Sequence, residues 1–397
     1  MRVETLSLTN VGPFDQFQLT FQKCPPGKAE IHLLVGENGS GKSSVLYALA
    51  NLFRNFDSGP QPHDISPRVR LEETPALSAV IDGETYFERT KKISRGNYTN
   101  DAHYPQPRFF KGKRTFAAFA YSGARSFAAL PQPNAEPAEF EPLRGALSFT
   151  KPLQGLAREQ WKRDARWTAQ GHKRIEQALS TLIDLPVRIH CRRDSPNMFL
   201  KVHGQRLLLD ALPGGMSSII SWVTDLLMRL ERMEWHDRTP IFQRRFLLLL
   251  DEIDIHLHPR WQRRILPALQ TLFPNAQIIA STHSPFVAAS ISDAWVHLFT
   301  AKNGKALLKE SVPAKAGYSN GYVLENLFGI ESDFDVQTER EVAALLAAIR
   351  KVRDGKGTLV KDVLPRAEVL ARKSAELATL AGYEVNQLRQ RLKERKR

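Results

Sequence analysis

An α/β fold with a mainly parallel core sheet is predicted by three stretches. The first, "IHLLVGENGSGKSSVLYALANLF" (31–53), runs from an apolar strand through a glycine-rich turn into an amphipathic helix. The second, "FLLLLDE" (246–252), is an apolar run ending in two carboxylates. The third, "AQIIAST" (276–282), is a short buried-type strand followed directly by His283. Uninterrupted apolar runs of this length mark strands covered on both faces, as parallel sheets require.

The turn in the first stretch carries chemistry. Gly36, Glu37, Asn38, Gly39, Ser40, Gly41, Lys42, Ser43 and Ser44 fit the phosphate-binding pattern GxxxxGK[ST] between a strand and a helix. Glycines let successive backbone N–H groups turn inward around phosphate oxygens, and the helix aims its positive end at the anion. Lys42 would reach the β- and γ-phosphates of ATP, and Ser43 would hold Mg²⁺.

The second and third stretches supply the acids and a base. Asp251, at a strand's end, is a Mg²⁺ ligand candidate; Glu252 is placed to polarise the attacking water. In a parallel sheet the C-terminal strand ends gather at the ligand crevice, so Asp251, Glu252 and His283 should converge on residues 36–43. A rival reading makes His256, His258 and a carboxylate a dedicated metal centre. That HxH spacing is weak, and no nearby motif supplies a third histidine. Cys24 and Cys191 form no CxxC pair, which excludes a cysteine zinc site of the usual spacing.

The remaining elements follow from pattern. Residues 54–127 alternate in strand fashion with an Asp82–Gly83 hairpin turn, predicting an antiparallel side sheet. Residues 128–211 read as a variable insertion with a proline-rich loop at 130–143, helical periodicity over 151–184, then strands. Its helical part, about 35 residues, spans roughly 50 Å as one helix, which excludes a long coiled-coil arm. These pieces sit inside a head of residues 1–312. A helical C-terminal region over 313–397 completes the chain.

Lys and Arg outnumber Asp and Glu by 56 to 42, for a net charge of +14. That excess favours polyanion partners, DNA foremost. Basic residues concentrate at 89–98, 109–116, 158–167 and 388–397. No run approaches a membrane span; "SSIISWVTDLLMRL" contains Asp225 and Arg229 and predicts a packed helix. The N-terminus lacks a signal-peptide layout, so a cytoplasmic location is expected.

Taken in order, "VETLSLTNVGPF", "GENGSGKSS", "LLLLDEIDIHLHPRWQ" and "IIASTHSP" resemble the ABC-type ATPases of the RecF/SMC group. They are most similar to compact anti-phage ATPases of the Septu PtuA-like, OLD-like and retron-linked kinds. The resemblance implies a P-loop NTPase fold of ABC-ATPase head type. It also implies that "LPGGMSSIISWVTDLLMRL" (212–230) is a signature loop and helix, with Gly214, Gly215 and Ser217 capping the γ-phosphate held by an opposite subunit. Pro213 and Met216 depart from the usual polar residues there. His283 matches the switch histidine. Arg125, in "FAYSGARSF", meets phosphate, a neighbouring subunit or a structural salt-bridge partner; no glutamine stands in that segment to bind Mg²⁺. Phe14 packs near the adenine or in the core.

The resulting expectation is a Mg²⁺-dependent ATPase that dimerises, or assembles further, around ATP. By resemblance it acts in bacterial phage defence, controlling DNA contact or a nuclease encoded nearby, with no membrane partner. The alternative is a RecF-like DNA repair ATPase. The long span from Gly36 to Gly214 argues against a transporter subunit, and no TOPRIM-like or HNH-like residue set after 300 marks a self-sufficient nuclease.

Overall fold

The computed structural model describes residues 1–56, 74–94, 97–122, 142–143, 145–149, 169–191, 198–202, 204–208, 212, 214–315, 317, 320–329 and 334–394. These form two compact units, Met1–Phe328 and Gly329–Arg397.

The first unit begins with the hairpin β1 (Val3–Val11) and β2 (Phe14–Thr20), followed by β3 (Glu30–Gly36) and α1 (Lys42–Leu52). Strands β4 (Ala76–Ile81), β5 (Glu84–Ser94) and β6 (Asn97–His103) follow, with a small ribbon of β7 (Phe109–Phe110) and β8 (Lys113–Arg114). An antiparallel sheet assembles in the order β2-β1-β4-β5-β6. Asp82 and Gly83, at φ 50° and 80°, make the β4–β5 turn, the two positive values that a type I′ hairpin needs.

The core sheet draws on the rest: β9 (Ala117–Ser122), β13 (Phe246–Asp251), β14 (Gln277–Thr282), β15 (Ala294–Lys302) and β16 (Lys305–Ala314). Its order is β16-β15-β3-β14-β13-β9, parallel throughout except for β16. Every residue of β13 and β14 is buried. One face packs under α1 and the antiparallel sheet, through Leu34, Leu247, Leu249 and Ile279. The other lies under the helices α2 (Ala169–Ile183), α3 (Gly214–Arg232) and α4 (Pro259–Leu272). A three-stranded antiparallel sheet, β10 (Val187–Cys191), β11 (Met198–Val202) and β12 (Gln205–Leu208), fills the stretch before α3.

Two expected boundaries are corrected. The side sheet does not coincide with 54–127, because β1 and β2 join it and β9 leaves it. β9 is buried along nearly all its length and pairs parallel to β13, from Ala117 opposite Phe246 to Ser122 opposite Asp251. The head runs past residue 312, because the four-residue helix α5 (Pro285–Ala288) and β3 pack against α6 (Asn320–Phe328), whose Val323 is fully buried.

The helix carrying Asp225 and Arg229 is a packed one. Arg229 Nε and Asp225 Oδ2 lie 2.5 Å apart, both side chains almost wholly buried, and Tyr121 donates its hydroxyl to the same carboxylate at 2.7 Å. Buried ions need such multiple partners to offset lost hydration. Among the described residues no helix is long and apolar enough to cross a membrane.

The second unit contains α7 (Val336–Arg353), α8 (Leu364–Ala371) and α9 (Ala375–Glu394). They close on Leu345, Val363, Leu370, Leu377 and Leu388. Asp335 caps α7 by accepting from the N–H groups of Gln337 and Thr338.

Candidate functional site

The turn between β3 and α1 is seated on aromatic rings. Gly41 caps α1 at φ 92°, and a Cβ there would lie 2.3 Å from Cζ of Phe14, so both conformation and space call for glycine. Phe14 is fully buried, with its ring 4.2 Å from that of Phe17 and edge-on to Phe299 at 6.4 Å. Of the two roles open to it, the geometry fits the core one: it is a floor beneath the loop and offers no face to a base.

Lys42 is 4% exposed, and its Nζ donates to the carbonyl oxygens of Gly36 and Glu37, both at 2.8 Å, and to Ser40 Oγ at 3.4 Å. Burial brings its ammonium down to about 8, against the opposing pull of Asp251, Glu252, Asp254 and Glu37.

Three strand ends meet this loop. Asp251 Oδ1 accepts from Ser43 Oγ at 2.9 Å and from Ser281 Oγ at 2.6 Å. The Ser281 hydroxyl in turn accepts from the Glu252 N–H at 2.8 Å. Glu252 sits at φ 51°, a left-handed conformation costly for a residue with a side chain and held here by its neighbours. Burial raises its carboxyl above the ordinary value, with Asp251 and Asp254 adding to the shift. His283 is pushed the other way, first by burial and then by Lys42, which favours a neutral ring. Glu252 and His283 line one cleft of about 250 Å³ together with Asn38, Gly39, Lys42 and Ser43.

Of residues 36–43, the fold brings Asn38, Gly39, Gly41, Lys42 and Ser43 into one cleft with Glu252 and His283, and Ser43 to Asp251. The donor set around Asp251 is all oxygen, from hydroxyl and carboxylate, which suits a small hard divalent cation such as Mg²⁺ beside the loop. Among the described residues no cluster of three or more His, Cys, Asp or Glu is arranged to hold a metal. The two histidines of the HxH spacing have other roles. His258 caps α4, its Nδ1 accepting from the Arg260 N–H at 3.2 Å. His256 holds φ 62° and presents its carbonyl to Gly215, where a Cβ would come within 2.1 Å.

Gly214 and Gly215 open α3, as expected of a loop feeding a helix. They line a second, larger cleft of about 1230 Å³, apart from the one around Lys42. Ser217 is partly exposed in the first turn of α3, and its carbonyl accepts from Ser221 Oγ. Arg125 and Pro213 lie outside the described residues, as does the basic stretch 158–167.

Residues that sequence reasoning passed over hold the site together. Ser281 links Asp251 to Glu252. Asp254 Oδ1 accepts from Thr282 Oγ1 at 2.5 Å and from the His283 N–H at 3.2 Å. Gln262 donates to the carbonyls of Asp254 and Leu257 and accepts from Ser284 Oγ at 2.7 Å. The signal for Ser281 was a hydroxyl pair closing an otherwise apolar strand.

Comparison with known proteins finds the following similarities. Residues 1–96 match a family model described as "AAA domain", and residues 203–289 match one described as "AAA domain, putative AbiEii toxin, Type IV TA system". The chain is 22% identical over 349 residues to "Septu protein PtuA" of Bacillus mycoides, covering 83% of this chain and 45% of that protein. It is 23% identical to "Septu protein PtuA" of Bacillus thuringiensis, over 73% of this chain and 74% of that one. Over 39% of its length it is 30% identical to 28% of the "Retron Ec83 probable ATPase" of Escherichia coli. The chain thus spans less than half the length of the first and third of these relatives. Among solved structures, the SMC head domain from Thermotoga maritima aligns over 80% of this chain at 17% identity and a TM-score of 0.42. An SMC head bound to the C-terminal winged-helix domain of ScpA aligns over 79% at 14% identity and a TM-score of 0.48. With a phosphate-binding loop, acid-tipped neighbouring strand and histidine in one cleft, and AAA-domain models matching the segments that supply both halves of that cleft, the chain carries a P-loop site and is distantly similar to Septu PtuA and the retron probable ATPases.

Proposed function

We propose that this protein binds and hydrolyses ATP with Mg²⁺ and acts as a dimerising switch in bacterial anti-phage defence. The observation that carries the proposal is the single cleft shared by Lys42, Ser43, Glu252 and His283, with Asp251 hydrogen-bonded to Ser43 at its base. Backbone N–H groups of residues 38–43 and the N-terminus of α1 receive the phosphates; Lys42 exchanges its two carbonyl partners for phosphate oxygens. Ser43 and Asp251 would hold Mg²⁺, which would supply charge neutralisation at the phosphates. Glu252 orients the attacking water and accepts its proton, a role favoured by its raised pKa. His283, neutral at ordinary pH, donates a hydrogen bond to the γ-phosphate, and Asp254 fixes the backbone from which it projects.

Gly214 and Gly215 complete the site of a second copy. They open α3 on a cleft separate from the one around Lys42, and glycines at a helix start allow close approach to phosphate. Binding of ATP then joins two protomers and hydrolysis releases them. The net charge of +14 supports contact with DNA. Likeness to Septu PtuA and the retron probable ATPases supports the defence setting; a nuclease encoded nearby as the controlled partner and a cytoplasmic location complete the proposal.

The test is sedimentation of the Glu252→Gln protein with ATP and Mg²⁺. The proposal expects a dimer that reverts to monomer when nucleotide is removed. A monomer at saturating ATP overturns the sandwich while leaving ATP binding itself to be scored separately by direct titration.

A further inference from the structure

The larger cleft is strongly basic. Beyond Gly214 and Gly215 it is lined by Arg260, Arg263 and Arg264 from the first turns of α4, beside the exposed His256. Arg264 is engaged with Asp184, the only carboxylate among the described lining residues. Arg260 and Arg263 are exposed and have no acidic partner among the described residues. Two uncompensated guanidinium groups at the mouth of a 1230 Å³ cleft repel one another, and an anionic surface that fills the cleft relieves this.

The backbone ties these arginines to the cleft wall. His258 caps α4 and Pro259 starts it, so Arg260 and Arg263 fall one helical turn apart on the same face. Trp261 donates Nε1–H to the Ile183 carbonyl at 2.9 Å, anchoring α4 to the end of α2 on the other side of the cleft. The Gly215–His256 contact then sets the start of α3 directly against the loop that leads into α4. The arginines and the two glycines therefore line one continuous cleft.

We propose that Arg260 and Arg263 are trans-acting cations that receive the nucleotide-loaded P-loop face of a second copy of this chain. This rests on the sandwich reading above and adds the residues that make pairing depend on nucleotide. The opposing cleft is lined by Glu252, with Glu37 exposed in the adjoining turn, and a bound triphosphate adds further negative charge. Charge complementarity is thus strongest when ATP is present and falls when the γ-phosphate leaves. Arginine suits the task because its planar fork pairs with two oxygens of a phosphate or carboxylate at once.

The experiment uses the full chain in the Glu252→Gln background with ATP and Mg²⁺, measuring dimer dissociation by sedimentation and nucleotide affinity by titration with a fluorescent ATP analogue. Arg260→Glu/Arg263→Glu should weaken the dimer by at least about tenfold, the scale of losing close charge pairs across an interface. Nucleotide affinity of the dilute protomer should stay within about twofold, because the P-loop cleft is untouched; Arg260→Lys/Arg263→Lys should fall between. Unchanged dimerisation in the reversed variant overturns the inference and leaves the sandwich standing. Loss of protomer nucleotide binding also overturns it, since the arginines would then act within one chain. Failure of the Glu252→Gln parent to dimerise removes the sandwich reading and this inference together.

Discussion

Ser43 and Asp251, 208 positions apart in sequence, are joined by a 2.9 Å hydrogen bond from hydroxyl to carboxylate. One residue opens α1 after the phosphate-binding turn; the other ends β13. The bond exists because β13 lies two strands from β3 in the same parallel sheet, with β14 between them. The intervening strand contributes as well: Ser281 reaches the same carboxylate oxygen at 2.6 Å.

Removing that contribution should be costly. Ser281→Ala takes away one donor to Asp251 and one acceptor for the Glu252 N–H. A loss of about 1–3 kcal/mol in stability is expected for leaving such groups unpaired. ATP turnover should fall further than ATP affinity does, because the backbone that aims Glu252 loses its tether. Urea unfolding and steady-state kinetics check the two effects; equal activity in the variant would mean that Ser281 does not position Glu252.

Glu252 gives a pH signature. Its carboxyl is raised by burial and then by Asp251 and Asp254, so turnover should decline on the acid side at a higher pH than an ordinary carboxylate would produce. Asp254→Asn removes one negative neighbour and should move that acid limb to lower pH. Glu252→Gln should abolish the limb along with at least about 10²-fold of the rate. A kcat profile whose acid limb ignores Asp254→Asn would separate Glu252 from the proton transfer.

Much of this site was legible in the sequence because its parts are local. The glycine-rich turn, "FLLLLDE" and the strand before His283 each carry their own pattern, and a parallel sheet brings such strand ends together. The parts that were not legible are long-range. Gln262 bonds both the loop that precedes α4 and Ser284 beyond β14, and no spacing announces that. β9 was assigned with its sequence neighbours to the side sheet, although the unbroken apolar run "AAFAY" fits a doubly covered strand. Phe14 had two possible roles until its ring was found under Gly41.

Lys42 couples ATP binding to protons. With its ammonium brought down to about 8, roughly half the molecules carry a neutral lysine at pH 8, and a triphosphate beside it restores the charge. Binding should therefore take up about half a proton at pH 8 and much less at pH 6.5. Calorimetry in buffers of different ionisation enthalpy measures this; uptake that does not increase with pH would contradict the burial argument.

A buried histidine pair should make the fold acid-sensitive. His32 Nδ1 and His297 Nε2 are 3.1 Å apart in the core sheet, with Glu30 and Ser311 on their outer nitrogens. Burial lowers both below the usual histidine value. The folded-state values are depressed, so their contribution to stability is present above about pH 6.5 and lost as pH falls through the folded values. His32→Leu/His297→Leu should lose less stability than the parent between pH 7 and pH 5 in urea titrations. An identical acid loss in both proteins would place the acid sensitivity elsewhere.

The central claim, one triphosphate gripped by Lys42 and worked on by Glu252, is tested most directly by equilibrium ATP binding and turnover for the parent, Lys42→Ala and Glu252→Gln proteins side by side. The account predicts that Lys42→Ala loses both binding and turnover, whereas Glu252→Gln keeps ATP and loses turnover. Unaltered binding and turnover in Lys42→Ala would contradict it.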